Sequence, residues 1–419
     1  MAEIDEKYNY AVVTPSDNEP RRLWKEVQED LLPSGYKGWR QKITPVIIAL
    51  LCITPFALIA LIASITYISY LADKLGGNPY AIRVNMSTRS SFQPPRLRIL
   101  HSGRNLQPRL MRDFPDPTLV EDHNGTWYAF ATNSGGVNVQ VARTVGNIVA
   151  QGKDQDTEQS QNQSDSDPLG PWTRLGIDAM PDRSWTSGRN TWAPDVQALD
   201  DGTFLMYFTG EVPNSHRHCI GTARANNVTG PYVPDPKPWA CPLEEGGAID
   251  PSGYVDEETG RRYVLYKVDG NSKSATWTPC GTDVRDPTMR TPLMLQQVDA
   301  GDGTTKIGSP MKLLDRLEQE DEALVEAPEL RRWWDGTYLL FFSAHCFNDP
   351  RYNVKYAWAN RIEGPYVRAE GALLQAPDFG LRAPGGAKTG RTRDGVDFIA
   401  FHGNCPQGRC FYTVPYVEA

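Results

Sequence analysis

At 419 residues and a formal net charge of −8, the chain is longer than one ordinary domain and too acidic to pair with a phosphate backbone, so no nucleic-acid partner is expected. Aromatic residues make up 10% of it, and 36 Gly with 33 Pro supply turns throughout, which marks a β-rich, turn-rich protein. Zinc, nucleotide and serine-hydrolase chemistry find no support: no Cys/His cluster has zinc spacing, no glycine-rich loop leads from a strand into a helix, and no G-x-S-x-G elbow occurs.

Residues 1–42 are polar, mixed in charge and aperiodic, and read as a disordered cytosolic tail. Residues 43–72 contain no charged side chain, and Val46–Leu71 is almost wholly apolar. A helix of that length spans roughly 40 Å, enough to cross a ~30 Å hydrocarbon core with tilt. Pro55 is tolerable there, and the run is too long and too far along the chain for a cleaved signal peptide. The segment is therefore expected to be a transmembrane signal-anchor. Lys37, Arg40 and Lys42 before it, against Lys74 after it, put the N-terminus inside. The sequons at Asn85, Asn124, Asn162 and Asn227 all follow the span. So do six of the seven cysteines, Cys52 being inside it. Six cysteines allow 15 pairings; Cys405 and Cys410 are near enough to close a small loop, and Cys219 with Cys241 is a second compatible pair. These features together describe a single-pass type II membrane protein, its large domain extracellular or in a secretory lumen.

Residues 73–105 carry Gly, Pro, Ser and Arg without strand pattern and read as a stalk. From 106 to 419 a unit recurs. Its strongest runs are Trp127–Asn133, Phe204–Gly210, Tyr263–Asp269, Tyr338–Ala344 and Phe398–Asn404, starting 77, 59, 75 and 60 residues apart. Before each lies a proline-linked motif, acidic in four of the five. From Asp116, Asp195, Asp250, Glu326 and Gly385 to the late aromatic of each run there are 14, 13, 16, 16 and 16 residues. Gly170-Pro171-Trp172, Gly230-Pro231-Tyr232 and Gly364-Pro365-Tyr366 add a repeated turn, and Gly152–Asp167 is a polar insertion expected on the surface. A period of this length holds four short strands, and no long 3.6-residue periodicity appears after residue 72. The expectation is an all-β, five-bladed propeller whose inner strands bring a ring of acids to the axis.

Acids facing each other across a cavity suit glycoside hydrolysis by inversion. One carboxylic acid protonates the departing oxygen while a carboxylate on the opposite face activates water. The acid must hold its proton near neutral pH, which burial or a neighbouring negative charge achieves. The segment Asp113-Phe-Pro-Asp116-Pro-Thr, then Trp192-Ala-Pro-Asp195, Ala248-Ile-Asp250-Pro and Glu326-Ala-Pro-Glu329, resembles the ordered motifs of glycoside hydrolase family 43. The resemblance covers about 106–419. It implies a five-bladed propeller that inverts, and a plant-type polysaccharide or oligosaccharide substrate containing arabinose or xylose. It further implies Asp116 as general base, Glu326 as general acid and Asp250 as the residue that raises and orients the acid. Asp113 rivals Asp116, and Glu322 and Glu329 rival Glu326. Trp192 is the candidate sugar platform, and Asp195 and His402 join the substrate-binding set. His345 offers a second axial histidine. At most one of Trp333 and Trp334 can face a cavity, because adjacent strand residues point to opposite faces.

Members of the family often carry a Pro-Gly-His motif on the fifth blade, associated in some with a central metal ion. This chain reads Ala383-Pro384-Gly385-Gly386, which argues against calcium dependence, so no metal and no cofactor is expected. A carbohydrate-binding propeller without catalysis is the alternative reading. A retaining fructosidase would carry Asn-Asp-Pro near its start, where this chain has Pro115 before Asp116.

Overall fold

The computed structural model of the protein describes residues 95–145, 167–273, 280 and 289–419. The tail, the apolar segment 43–72, Cys52, Asn85, Asn162 and nearly all of the 152–167 insertion lie outside the described residues. Among the described residues, no helix is long and apolar enough to cross a membrane.

Among the described residues, twenty strands form five antiparallel four-stranded sheets. A short strand, β1 (Leu97–Ile99), comes first. Blade one then follows as β2 (Thr118–Glu121), β3 (Trp127–Ala131), β4 (Gln140–Thr144) and β5 (Trp172–Leu175). Blade two is β6 (Thr191–Ala198), β7 (Phe204–Glu211), β8 (His218–Ala225) and β9 (Val233–Pro234). Blade three is β10 (Ala248–Val255), β11 (Arg262–Val268), β12 (Leu293–Val298) and β13 (Lys306–Leu314). Blade four is β14 (Val325–Arg332), β15 (Tyr338–Ala344), β16 (Asn353–Ala359) and β17 (Val367–Arg368). The last blade is β18 (Gly385–Arg391), β19 (Asp397–Cys405) and β20 (Gly408–Glu418), completed by β1. The three Gly-Pro-aromatic turns each introduce the outer strand of a blade.

Strands β3, β7, β11 and β15 are buried at every residue, which is why they read as unbroken apolar runs instead of alternating ones. Both faces of each such strand meet a neighbouring blade. Apolar clusters fill the gaps between successive blades: Phe130 with Phe208, Tyr207 with Tyr266, Leu265 with Phe342, Phe341 with Phe401, and Trp127 with Phe398. Each large buried side chain contributes about 1.5–3 kcal/mol. The first strands touch in a closed ring, β2 to β6, β10, β14, β18 and back to β2.

Leu97 pairs with Glu418 and Ile99 with Tyr416. This corrects the 73–105 stalk, since its last third includes a propeller strand. Three residues with an arginine at the centre carry too little pattern to be read as a strand alone. Cys219–Cys241 and Cys405–Cys410 form as their spacing suggested, and Cys280–Cys346 is the third bridge. Asn124 and Asn227 are exposed.

Candidate active site

The first strands of blades two to five each carry a register shift near their start: Trp192/Asp195, Ile249/Ser252, Glu326/Glu329 and Gly385/Lys388. The residue after each leading position has left-handed backbone, as Ala193, Asp250, Ala327 and Gly386 do, and Asp116 matches them in blade one. Aligned on this bulge, the five counted residues, four of them acids, occupy three different places. Glu326 and Gly385 come just before it, Asp116 and Asp250 sit on it, and Asp195 lies two residues beyond. The single ring of equivalent acids expected from spacing is therefore two tiers. A bulge re-aims the side chains around it, so an acid before a proline and an acid after one point to different depths.

The upper tier opens into a cavity of about 180 Å3 whose walls include Asp116, Trp192, His218, Asp250, Lys267, Glu326, Phe347, Tyr352, Lys388 and Arg409. The middle strands hold the bulges in place. Late in each middle strand, or just past its end in blade one, stand Thr132, Thr209, Lys267, Ser343 and His402. The Ala193 amide donates to Thr132 Oγ1 (2.9 Å), Asp250 N to Thr209 Oγ1 (3.1 Å), Gly386 N to Ser343 Oγ (3.0 Å) and Asp116 N to His402 Nδ1 (3.0 Å). Each blade thus accepts the bulge amide of the next. Lys267 cannot accept, and there the Ala327 amide turns to Asp250 Oδ2 instead (2.9 Å). The ammonium freed from that duty bridges Glu326 Oε2 (3.2 Å) and Asp269 Oδ1 (2.9 Å) while fully buried. Glu326 Oε1 accepts from the Tyr352 hydroxyl (2.8 Å).

Charge separates the three acids. Burial alone would raise Asp116, but Arg409 Nη1 at 3.3 Å and the Thr132 hydroxyl at 2.6 Å on Oδ2 hold it below the usual carboxylate range. His402 contributes no charge: burial outweighs the attraction of Asp116 and lowers it to about 3, so it is a neutral acceptor at Nδ1. Asp250 and Glu326 both move upward. Burial dominates in each, and their mutual repulsion adds to Asp250. Lys267 and Tyr352 oppose the rise at Glu326 without reversing it. The cavity therefore holds one firm carboxylate opposite a carboxyl pair that keeps a proton.

Trp192 lines the cavity with its ring stacked on His218 at 3.7 Å. His218 is buried and held neutral, lowered to about 4 chiefly by burial. Asp195 is elsewhere. It lies in the lower tier, accepting from Thr118 Oγ1 (2.9 Å), Gly253 N (2.7 Å) and Gln197 Nε2 (2.8 Å), away from the cavity wall. His402 supports Asp116 from behind and does not line the cavity. Glu329 is saturated in the lower tier by Ser252 and Thr389, and Glu322 pairs with Arg351 outside the cavity. Asp113 receives the Arg409 amide (2.9 Å) and so positions the guanidinium that holds Asp116. Neither Trp333, buried between blades, nor Trp334, exposed, reaches the site. His345 faces Glu322.

Arg409, Lys267, Tyr352, Phe347 and His218 escaped sequence reading. Lys267 had a signal, a cation inside an otherwise apolar strand run. Each disulfide adjoins one cavity residue: Cys219 follows His218, Cys346 precedes Phe347, and Cys410 follows Arg409, whose guanidinium lies over the Phe347 ring.

A histidine at position 386 would not fit this backbone. At Gly386, where the Pro-Gly-His motif would place histidine, the backbone is left-handed (φ 61°) and a Cβ would lie 2.8 Å from His402 Nδ1 and 3.1 Å from Asp116 Oδ1. Among the described residues, no three His, Cys, Asp or Glu side chains are grouped to hold a metal. The cations around the cavity are Lys267, Lys388 and Arg409.

Residues 107–414 match the model of Glycosyl hydrolases family 43. A probable arabinan endo-1,5-alpha-L-arabinosidase A of Aspergillus flavus is 25% identical over 271 residues, which cover 61% of this chain and 68% of that protein. Extracellular endo-alpha-(1->5)-L-arabinanase 2 of Bacillus subtilis is 25% identical over 291 residues, 65% of this chain and 52% of that protein. The chain thus spans about half the length of the bacterial relative. Among solved structures, an endo-arabinase from Bacteroides thetaiotaomicron VPI-5482 superposes with a TM-score of 0.54 at 18% identity, covering 74% of this chain and 96% of that one. A thermostable family-43 glycoside hydrolase gives 0.57 at 19% identity over 72% and 89%. With more than half of its length matched by the family model, the chain belongs to glycosyl hydrolases family 43.

Proposed function

We propose that the cavity hydrolyses O-glycosidic bonds of arabinose- or xylose-containing polysaccharides or oligosaccharides with inversion at the anomeric carbon, with Asp116 as general base, Glu326 as general acid and Asp250 as its charge partner. The observation that carries this is the opposed protonation across one cavity: Asp116 held ionised by Arg409 and Thr132, Asp250 and Glu326 retaining a proton between them. Asp116 takes a proton from water, whose oxygen bonds to the anomeric carbon. The glycosidic C–O bond breaks, its electron pair goes to the leaving oxygen, and Glu326 supplies the proton. Trp192, its plane fixed by His218, offers a flat apolar face to sugar C–H groups. The arabinan-cleaving names of the relatives support the substrate class.

The same reading takes residues 43–72 as a signal-anchor that places the propeller outside the cytosol. Three disulfides and the exposed sequons Asn124 and Asn227 support it. A mobility shift on enzymatic deglycosylation, with retention in alkali-stripped membranes, is the expected result. Release into the supernatant would remove the anchor.

The activity test is hydrolysis of linear arabinan, an aryl α-L-arabinofuranoside and an aryl β-D-xyloside by the full-length chain. The first-formed anomer is read by NMR. Inverted product that vanishes in Glu326→Gln is expected. Retained configuration, or undiminished turnover in that variant, would overturn the assignment.

A further inference from the structure

The lower tier holds one residue from each blade at equivalent register: Thr118, Asp195, Ser252, Glu329 and Lys388. It contains two carboxylates, two hydroxyls and one ammonium. Lys388 Nζ lies 3.3 Å from Asp195 Oδ1 and 3.4 Å from Glu329 Oε2. Those same two oxygens accept from Thr118 Oγ1 (2.9 Å) and Ser252 Oγ (2.8 Å). Asp195 and Glu329 are 2% and 8% exposed, so water screens them little and an uncompensated pair would be strongly destabilising. Among the described residues, no other ammonium or guanidinium is paired with either acid. Lys388 also lines both the catalytic cavity and a second cavity of about 170 Å3 that contains Asp195, Glu329 and Gln197, so its stem partitions the two.

We propose that Lys388 is the resident axial cation of this propeller. Its tethered ammonium neutralises Asp195 and Glu329, so the chain holds its axis without a divalent metal ion, and removing the ammonium uncovers a ready-made divalent-cation site. The ligands would be hard oxygens from four blades: two carboxylates and the hydroxyls of Thr118 and Ser252, a donor set that suits calcium better than softer metals. The site is independent of which sugar the cavity takes.

The test compares melting temperatures of the full-length chain and of Lys388→Met, Lys388→Arg and Lys388→Met/Glu329→Gln, each in EDTA and in millimolar calcium chloride, with calcium binding measured calorimetrically. The unaltered chain is expected to melt identically in both and to bind no calcium. Lys388→Met should melt on the order of 5 °C lower in EDTA and recover with calcium. Lys388→Arg should ignore the ion. An unaltered chain that loses stability in EDTA and regains it with calcium would overturn the proposal, as would a Lys388→Met chain indifferent to calcium. If Lys388→Met fails to fold in EDTA, the double variant decides. Having lost one carboxylate it should fold and show no calcium response, and a calcium response there would also overturn the proposal.

Discussion

The two tiers of the axis use the same residue types on the same first strands and reach opposite ends. In the lower tier every carboxylate oxygen is matched: Asp195 and Glu329 share an ammonium and take hydroxyl and amide donors besides. In the upper tier the match is left incomplete. Asp116 has Arg409 and Thr132, but Asp250 and Glu326 repel each other, and the buried Lys267 is paired with Glu326 and Asp269, leaving Asp250 without a cation of its own among the described ion pairs. Satisfaction makes an acid structural; a deliberate shortage of partners leaves a proton available for transfer. Position relative to the bulge decides which fate an acid receives.

The largest effect should separate the tiers. Asp116→Asn and Glu326→Gln are expected to lower kcat by roughly 10²–10⁴ while the fold persists, with Glu326→Gln milder on activated aryl substrates. Asp195→Asn should do the converse, costing about 3 kcal/mol of stability but leaving kcat within about tenfold. Initial rates beside thermal melts read both, and a reversal would erase the distinction. Next, kcat/KM should be bell-shaped in pH, with its acid limb set by Asp116 and its alkaline limb by the Asp250–Glu326 pair. Arg409→Met removes the charge that holds Asp116 down. The acid limb should then move to higher pH and kcat/KM should fall on the order of 100-fold.

Acid stability sharpens the comparison from the histidine side. His218 and His402 are depressed to about 4 and about 3, so each is neutral when folded yet protonates near 6.5 when unfolded. The unfolded chain binds more protons over that window, so stability is full above about pH 6.5 and is lost as pH falls towards the folded values, by about 3 kcal/mol each at pH 4. Denaturant midpoints between pH 7 and 4 would show the loss, and a flat profile would contradict it. The smallest effect belongs to Trp192→Ala, expected to raise KM about tenfold with little change in kcat, since it removes a platform and no charge.

Much of this was legible from sequence. Five apolar runs with a motif before each specify five blades, and the Asp116, Asp250 and Glu326 motifs do converge on one cavity. Depth was not legible. Asp250 precedes Pro251 while Asp195 follows Pro194, and only the bulge geometry shows that this offset of two positions separates a cavity wall from a buried brace. Gly385 compounds the difficulty, because Ala387 occupies the slot that proline fills in the other blades. Arg409 was illegible for another reason: it lies 293 residues from Asp116, on a hairpin whose role depends on ring closure. Short β1 was hidden by its length, and Lys388 by the absence of any pattern that marks a cation as axial.

Ring closure also fixes when the site comes into being. Strand β20 pairs with β1 at the opposite end of the domain, and it carries Arg409 to Asp116. During synthesis Asp116 therefore meets that guanidinium only after the four other blades have emerged, however early they have folded. A premature stop near residue 408 would take away a strand, the Cys405–Cys410 clasp and the cationic partner of Asp116 at once. Closing the ring and assembling the Asp116–Arg409 pair are thus one event, and neither is complete without β20.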